Sequence, residues 1–179
     1  MALPSQEMLD LVRVSSLDGI RPAAEALHAI ASDCKMRVAL AHDIADKRTP
    51  VDAEGNILAR DVFGWSEEER VWWRNSRIAL DSPLTSACRF ESEPFWVNAE
   101  GFHTRQPNAY LASIDLGNFE HRAMTRSAIV VPVHLPFGQI GAVSFNPVDR
   151  DRLDLTDEFL AFGDAFGLYA RTFIATYVH

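Results

Sequence analysis

The sequence predicts an α/β fold in which an antiparallel β-sheet is sandwiched between helical layers, in α-β-α order. Three observations predict it. Two β-rich runs, 128–134 and 139–145, flank Pro136-Phe137-Gly138, the composition of a tight turn between paired strands. Phe159, Phe162, Phe166, Tyr169, Phe173 and Tyr177 fall on one stripe at helical spacing, which predicts a long helix with a buried face. Ile20, Ala23, Leu27, Ile30 and Cys34 repeat that spacing near the N-terminus. Hairpin-joined strands with helices grouped around them fit a sheet covered on both sides.

The elements follow in order. Residues 5–16 read as a helix with Ser5 as N-cap, and Pro22 suits the first turn of a second. Residues 37–44 (RVALAHDI) read as the first strand. Pro50 and Gly55 mark 49–56 as a loop, and 57–63 reads as a second strand with Leu58 and Val62 inward. Ser66 starts another helix carrying Val71, Trp72 and Trp73, with glutamates placed against the N-terminal dipole. Asp81, Ser82 and Pro83 cap a short helix to about residue 89. Residues 94–97 form a short extended piece, and 108–125 a helix with a break at Gly117. The hairpin comes next, then a loop through Pro147 and Asp149-Arg150-Asp151, then the helix 156–177. No repeat or linker interrupts the 179 residues, so one domain, 1–179, is the expectation.

Charge and cysteine content exclude several classes. A net charge of −8 repels a phosphate backbone, so DNA contact by these residues is not expected. Cys34 and Cys88 have neither disulfide-framework nor metal-type spacing; free thiols fit a cytoplasmic location. Glu7 and Asp10 interrupt any signal-peptide pattern. The uncharged stretch 127–148 is divided by Pro132, Pro136 and Gly138, so no membrane span is expected.

Catalysis has no sequence support. The six histidines show no i, i+4 pair, and none lies near a cysteine, so no metal site is predicted. Neither a Gly-rich phosphate loop nor a G-x-S-x-G elbow is present. The expectation is a protein that is not an enzyme and needs no cofactor.

The stretch 65–96 holds all four tryptophans: Trp65, Trp72, Trp73 and Trp96. Aromatic rings beside a lone acid, Asp81, are what an apolar small-molecule pocket with one polar anchor requires. A packed core with Asp81 as a helix cap accounts for the same residues.

Two runs carry a resemblance. LDSPLTSACRFESEPFW and SAIVVPVHLPFGQIGAVSF resemble, in order and separation, motifs of the autoinducer-binding domain of LuxR-type transcription regulators, the signal receptors of bacterial quorum sensing. The resemblance implies that Asp81 accepts a hydrogen bond from a ligand amide. Trp96 would pack on the ligand head group, and Ser144 would lie near its acyl carbonyl. The preceding helix would present aromatics at i, i+4 and i+8, which here finds Trp65, Glu69 and Trp73; a shift by one puts Glu68 and Trp72 on the last two sites. The lactone-reading tryptophan is thus replaced by a carboxylate in either register, and a carboxylate cannot donate to a lactone carbonyl. Arg126 and Ala128 also stand where the family usually has glycines.

The expected ligand is therefore an acyl-homoserine lactone or a non-lactone analogue, an aromatic one included. A GAF- or PAS-like sensor module shares the layered fold and is the alternative reading. The family places a helix-turn-helix DNA-binding domain after the sensing domain, and the chain reaches His179 without one. The expectation is an isolated sensing domain, or a short modulator that pairs with a full-length regulator; DNA would be reached only through a domain absent here. Leu160, Ala165, Leu168, Ile174 and Val178 make the last helix apolar outside its stripe, which predicts a homodimer.

Overall fold

Ser5 opens the first helix, its Oγ accepting from the Met8 N–H, and the helix runs Gln6–Leu11 (α1). The computed structural model describes residues 3–46, 48–66 and 82–177. Helix α2 (Ile20–Asp33) has Pro22 in its first turn, where no N–H is needed. It buries Ile20, Ala23, Ala24, Leu27 and Ala31, the predicted face; Ile30 and Cys34 are half-buried. Strand β1 (Met36–Ala41) follows.

Residues 57–63 do not form the expected strand. They hold one helical turn, α3 (Leu58–Asp61), preceded by a single bridge between Val51 and Ile57. The reason is local. The Asp52 carboxylate accepts from the backbone N–H of Glu54 and Asn56 and from the Asn56 side chain, folding the loop back on itself. Leu58 N–H then donates to Pro50 O, and the turn drives Leu58, Ala59 and Phe63 into the core.

Beyond residue 82 come α4 (Pro83–Cys88), β2 (Phe95–Asn98), β3 (Gly101–His103), a 3-10 turn at Ala109–Ser113, α5 (Phe119–Ala123), β4 (Ser127–His134), β5 (Ile140–Pro147) and α6 (Thr156–Thr176). The helix expected over 108–125 is split. Asp115 accepts from the Gly117 N–H, and Asn118 adopts a left-handed conformation (φ 53°) that restarts the chain as α5. Strand β3 was not anticipated: it pairs with β2 across a two-residue connection braced by Asn98 Oδ1 on the Glu100 N–H.

Among the described residues the strands form one sheet in the order β1-β5-β4-β2-β3, every neighbour antiparallel. The β4–β5 turn carries Phe137 and Gly138 at positive φ, 65° and 82°, a geometry that the glycine adopts without cost. One face of the sheet packs on α2 and α6, and α1 lies against those two helices. Val38, Ile129, Val131, Val143 and Phe145 meet Leu27, Phe166, Tyr169 and Phe173 there. Phe145 and Phe166 stack with centroids 4.0 Å apart. Each such fully buried side chain contributes about 1.5–3 kcal/mol relative to exposure. The other face packs Phe95, Val97, Ala128, Val130 and Ala142 against Leu84, Ala87 and Cys88 of α4, Leu111, and Phe119 and Ala123 of α5. The result is the expected α-β-α sandwich. No helix among the described residues is long and apolar enough to cross a membrane.

Candidate ligand-binding chamber

Strands have a two-residue period, so β1 and β5 each present one set of side chains to either face. Toward α6 they present large ones, Val38, Val143 and Phe145. Toward α4 and α5 they present Ala39, Ala41, Ala142, Ser144 and Asn146. Small residues there leave the second helical layer standing off the sheet. The space between them is a chamber of about 580 Å³, its mouth included. Leu84 and Thr85 of α4, Ala123 and Met124 at the end of α5, and Val130 of β4 close it. Its largely apolar wall suits an apolar organic group.

The polar groups in the wall are few and mostly engaged. Ser82 Oγ accepts from the Leu84 N–H, capping α4, and Thr85 Oγ1 donates to Ser82 O at 3.1 Å. Ser144 Oγ sits 3.4 Å from Ala39 O. Asn146 Nδ2 donates to Arg37 O (3.1 Å), Ser144 O (3.3 Å) and Ser144 Oγ (3.1 Å). Trp65 forms a side wall. Its Nε1–H donates to Val38 O at 2.7 Å, and the Arg37 guanidinium lies 4.7 Å from its ring centroid. The indole therefore offers the chamber a ring, its N–H being tied to the strand.

Trp65, Met124 and Asn146 separate the chamber from a second cleft, of about 690 Å³, lined by Arg37, Arg126, Arg150 and Asp149. Arg126 and Arg150 both pair with Glu120, and Arg126 also pairs with Asp151.

The predicted site residues divide three ways. Trp65 and Ser144 line the chamber. Trp72, Trp73 and Asp81 lie outside the described residues, which leave off at Ser66 and resume at Ser82. Trp96 is not brought to the chamber. Alternation along β2 sends Phe95 and Val97 toward α4 and α5, and turns Trp96 to the opposite core, where it stacks on His103 at 3.7 Å. The sequence reading missed Asn146 and the alanines of β1 and β5. Its available signal was their spacing: 142, 144 and 146 are small or polar while 143 and 145 are large and apolar.

Both thiols are free. Burial pushes the Cys88 thiol up to about 12, and burial with Asp33 nearby raises that of Cys34. Neither is a poised nucleophile. Among the described residues no cluster of three His, Cys, Asp or Glu side chains is placed to hold a metal. No protein-family model matches the chain, and no curated protein matches it.

Proposed function

We propose that this chain is a small-molecule-sensing domain of the LuxR type, cytoplasmic and without catalysis of its own, that holds its signal in the chamber between the sheet and the α4–α5 layer. The chamber carries this reading: an apolar space walled by an aromatic ring, with a few fixed polar groups, built from the strands and helix that contain the two resembling motifs. Its output to DNA would pass through a helix-turn-helix domain outside these residues, in the same polypeptide or in a regulator with which it pairs. Homodimerisation would use the outer side of α6, where Leu160 and Leu168 are exposed while Ala165 and Ile174 are buried in the core. Asp81, the neighbour of Ser82 in sequence, is the expected polar anchor.

The position of Trp96 favours a ligand without a lactone head group. The ring expected to pack on that group faces the far core, and Phe95 takes the chamber-side register.

Mass spectrometry of molecules copurifying from the native host, followed by thermal-shift titration, tests the proposal. A ligand at a hundredfold excess over its Kd stabilises by about 2.7 kcal/mol, which raises Tm by about 5–11 °C in a chain of this size. Asp81→Asn should reduce that shift. The proposal fails if nothing copurifies and neither acyl-homoserine lactones nor uncharged aromatic compounds raise Tm.

A further inference from the structure

Asn146 sits on β5 with only 5% of its surface exposed, at the wall shared by the chamber and the arginine-lined cleft. A carboxamide has one donating end and one accepting end, and the acceptors around it fix which is which. Three oxygens, those of Arg37 O, Ser144 O and Ser144 Oγ, surround the nitrogen. The NH2 end must therefore face β1 and Ser144, which turns Oδ1 away from them. Oδ1 accepts no hydrogen bond from any described residue, and it is not fully buried. On a side chain otherwise buried, this oxygen is an open acceptor for a donor placed beside it.

The remaining lining narrows what that is. Among the described residues the chamber wall is largely apolar, and none of those lining it is ionisable. The hydroxyls of Ser82 and Ser144 and the Trp65 N–H are engaged within the protein. We infer that Asn146 is a ligand-contact residue whose Oδ1 accepts a hydrogen bond from an N–H or O–H of a largely apolar ligand. The inference rests on the chamber being the binding site proposed above and adds the ligand's chemistry: a donor group on an apolar body, placed beside β5.

Two fluorescent probes that differ in one proton test it. N-phenyl-1-naphthylamine is an apolar aromatic with a single N–H; its N-methyl derivative has none. The wild-type chain should bind the amine about fivefold more tightly, the strength of one neutral hydrogen bond. Asn146→Leu should remove that preference by weakening the amine alone. If the variant does not fold, side-chain amide NMR of the wild type gives the same answer. The Asn146 carboxamide resonances should shift on adding the amine and not on adding the N-methyl compound. Binding of both probes with equal affinity overturns the inference while leaving the chamber reading intact. A preference that persists in Asn146→Leu also overturns it, since another group then reads the proton. Binding of neither probe overturns both.

Discussion

Replacing Gly141 by alanine sets two opposed effects against each other. Gly141 lies within β5, opposite Val133, at ordinary negative or extended φ. Glycine to alanine at such a position normally stabilises by about 0.4–1 kcal/mol, because the unfolded chain loses freedom. Here the new Cβ would stand 2.6 Å from Ile174 Cγ2, 3.0 Å from His42 O and 3.3 Å from Ala41 O. Carbon atoms prefer about 3.5–4 Å, so the first contact overlaps by about an ångström. None of the three neighbours can yield cheaply. Ile174 is buried on α6 and β-branched, which restricts its rotamer in a helix. The two oxygens are backbone, and Gln139 Nε2 donates to His42 O at 3.0 Å. Overpacking of this kind costs about 1–3 kcal/mol, toward the upper end when backbone must move. The net loss should be about 2 kcal/mol, a fall in Tm of about 4–8 °C in a domain of this length. Urea and thermal unfolding of Gly141→Ala, Ile174→Ala and the pair provide the assay. Ile174→Ala alone should cost about 2–5 kcal/mol, and the double variant less than the sum, because the removed methyl vacates the space the new one needs. An unchanged or raised Tm for Gly141→Ala would refute the close approach of α6 to the sheet.

Other expectations follow from the same packing. Burial would raise the Asp52 carboxyl, but hydrogen bonds from the Asn56 side chain, the Asn56 and Glu54 N–H groups and Arg21 outweigh it and hold it below the usual carboxylate range. A lowered folded-state value contributes stability above the unfolded value, and this is lost as pH falls below about 4 through the folded one. Asp52→Ala should therefore cost about 1–3 kcal/mol at neutral pH and show a shallower acid-side decline in urea titrations. With the Cys88 thiol pushed up to about 12, a thiol reagent at pH 8 should label Cys34 alone until the chain unfolds; equal labelling in the native state would contradict the burial. Ala142→Leu should fill the chamber, leaving stability within about 3 kcal/mol of wild type or raising it while abolishing binding of N-phenyl-1-naphthylamine; retained binding would place the probe elsewhere.

Much of the architecture was legible because it is set by local period. The Phe-Tyr stripe of α6 and the Pro-Phe-Gly turn between β4 and β5 specify their elements without help from distant residues. Residues 57–63 misled because a short apolar-rich run with Leu58 and Val62 on one side satisfies both a short strand and one helical turn. The choice was made by Asp52 and Pro50 O, groups upstream of the segment. The site was legible in part for a similar reason. Trp65 and Ser144 were reachable from the motifs, but whether Trp96 or Phe95 faces the chamber depends on a one-residue strand register fixed by the pairing of Trp96 with Ile129. Asn146 escaped notice since its role comes from three oxygens supplied by β1 and by its own strand, two of them backbone.

Strand β5 also bears on how such a domain can change over generations. Its odd positions, 141, 143 and 145, face α6, whereas 142, 144 and 146 face the chamber. Substitutions at the first set are felt as loss of the folded state, and those at the second as a change in what fits the space. A lineage can reshape the space through Ala142, Ser144 and Asn146 while the opposite side of the same backbone keeps the scaffold fixed. Sensitivity to selection should therefore alternate residue by residue along eight positions of one strand.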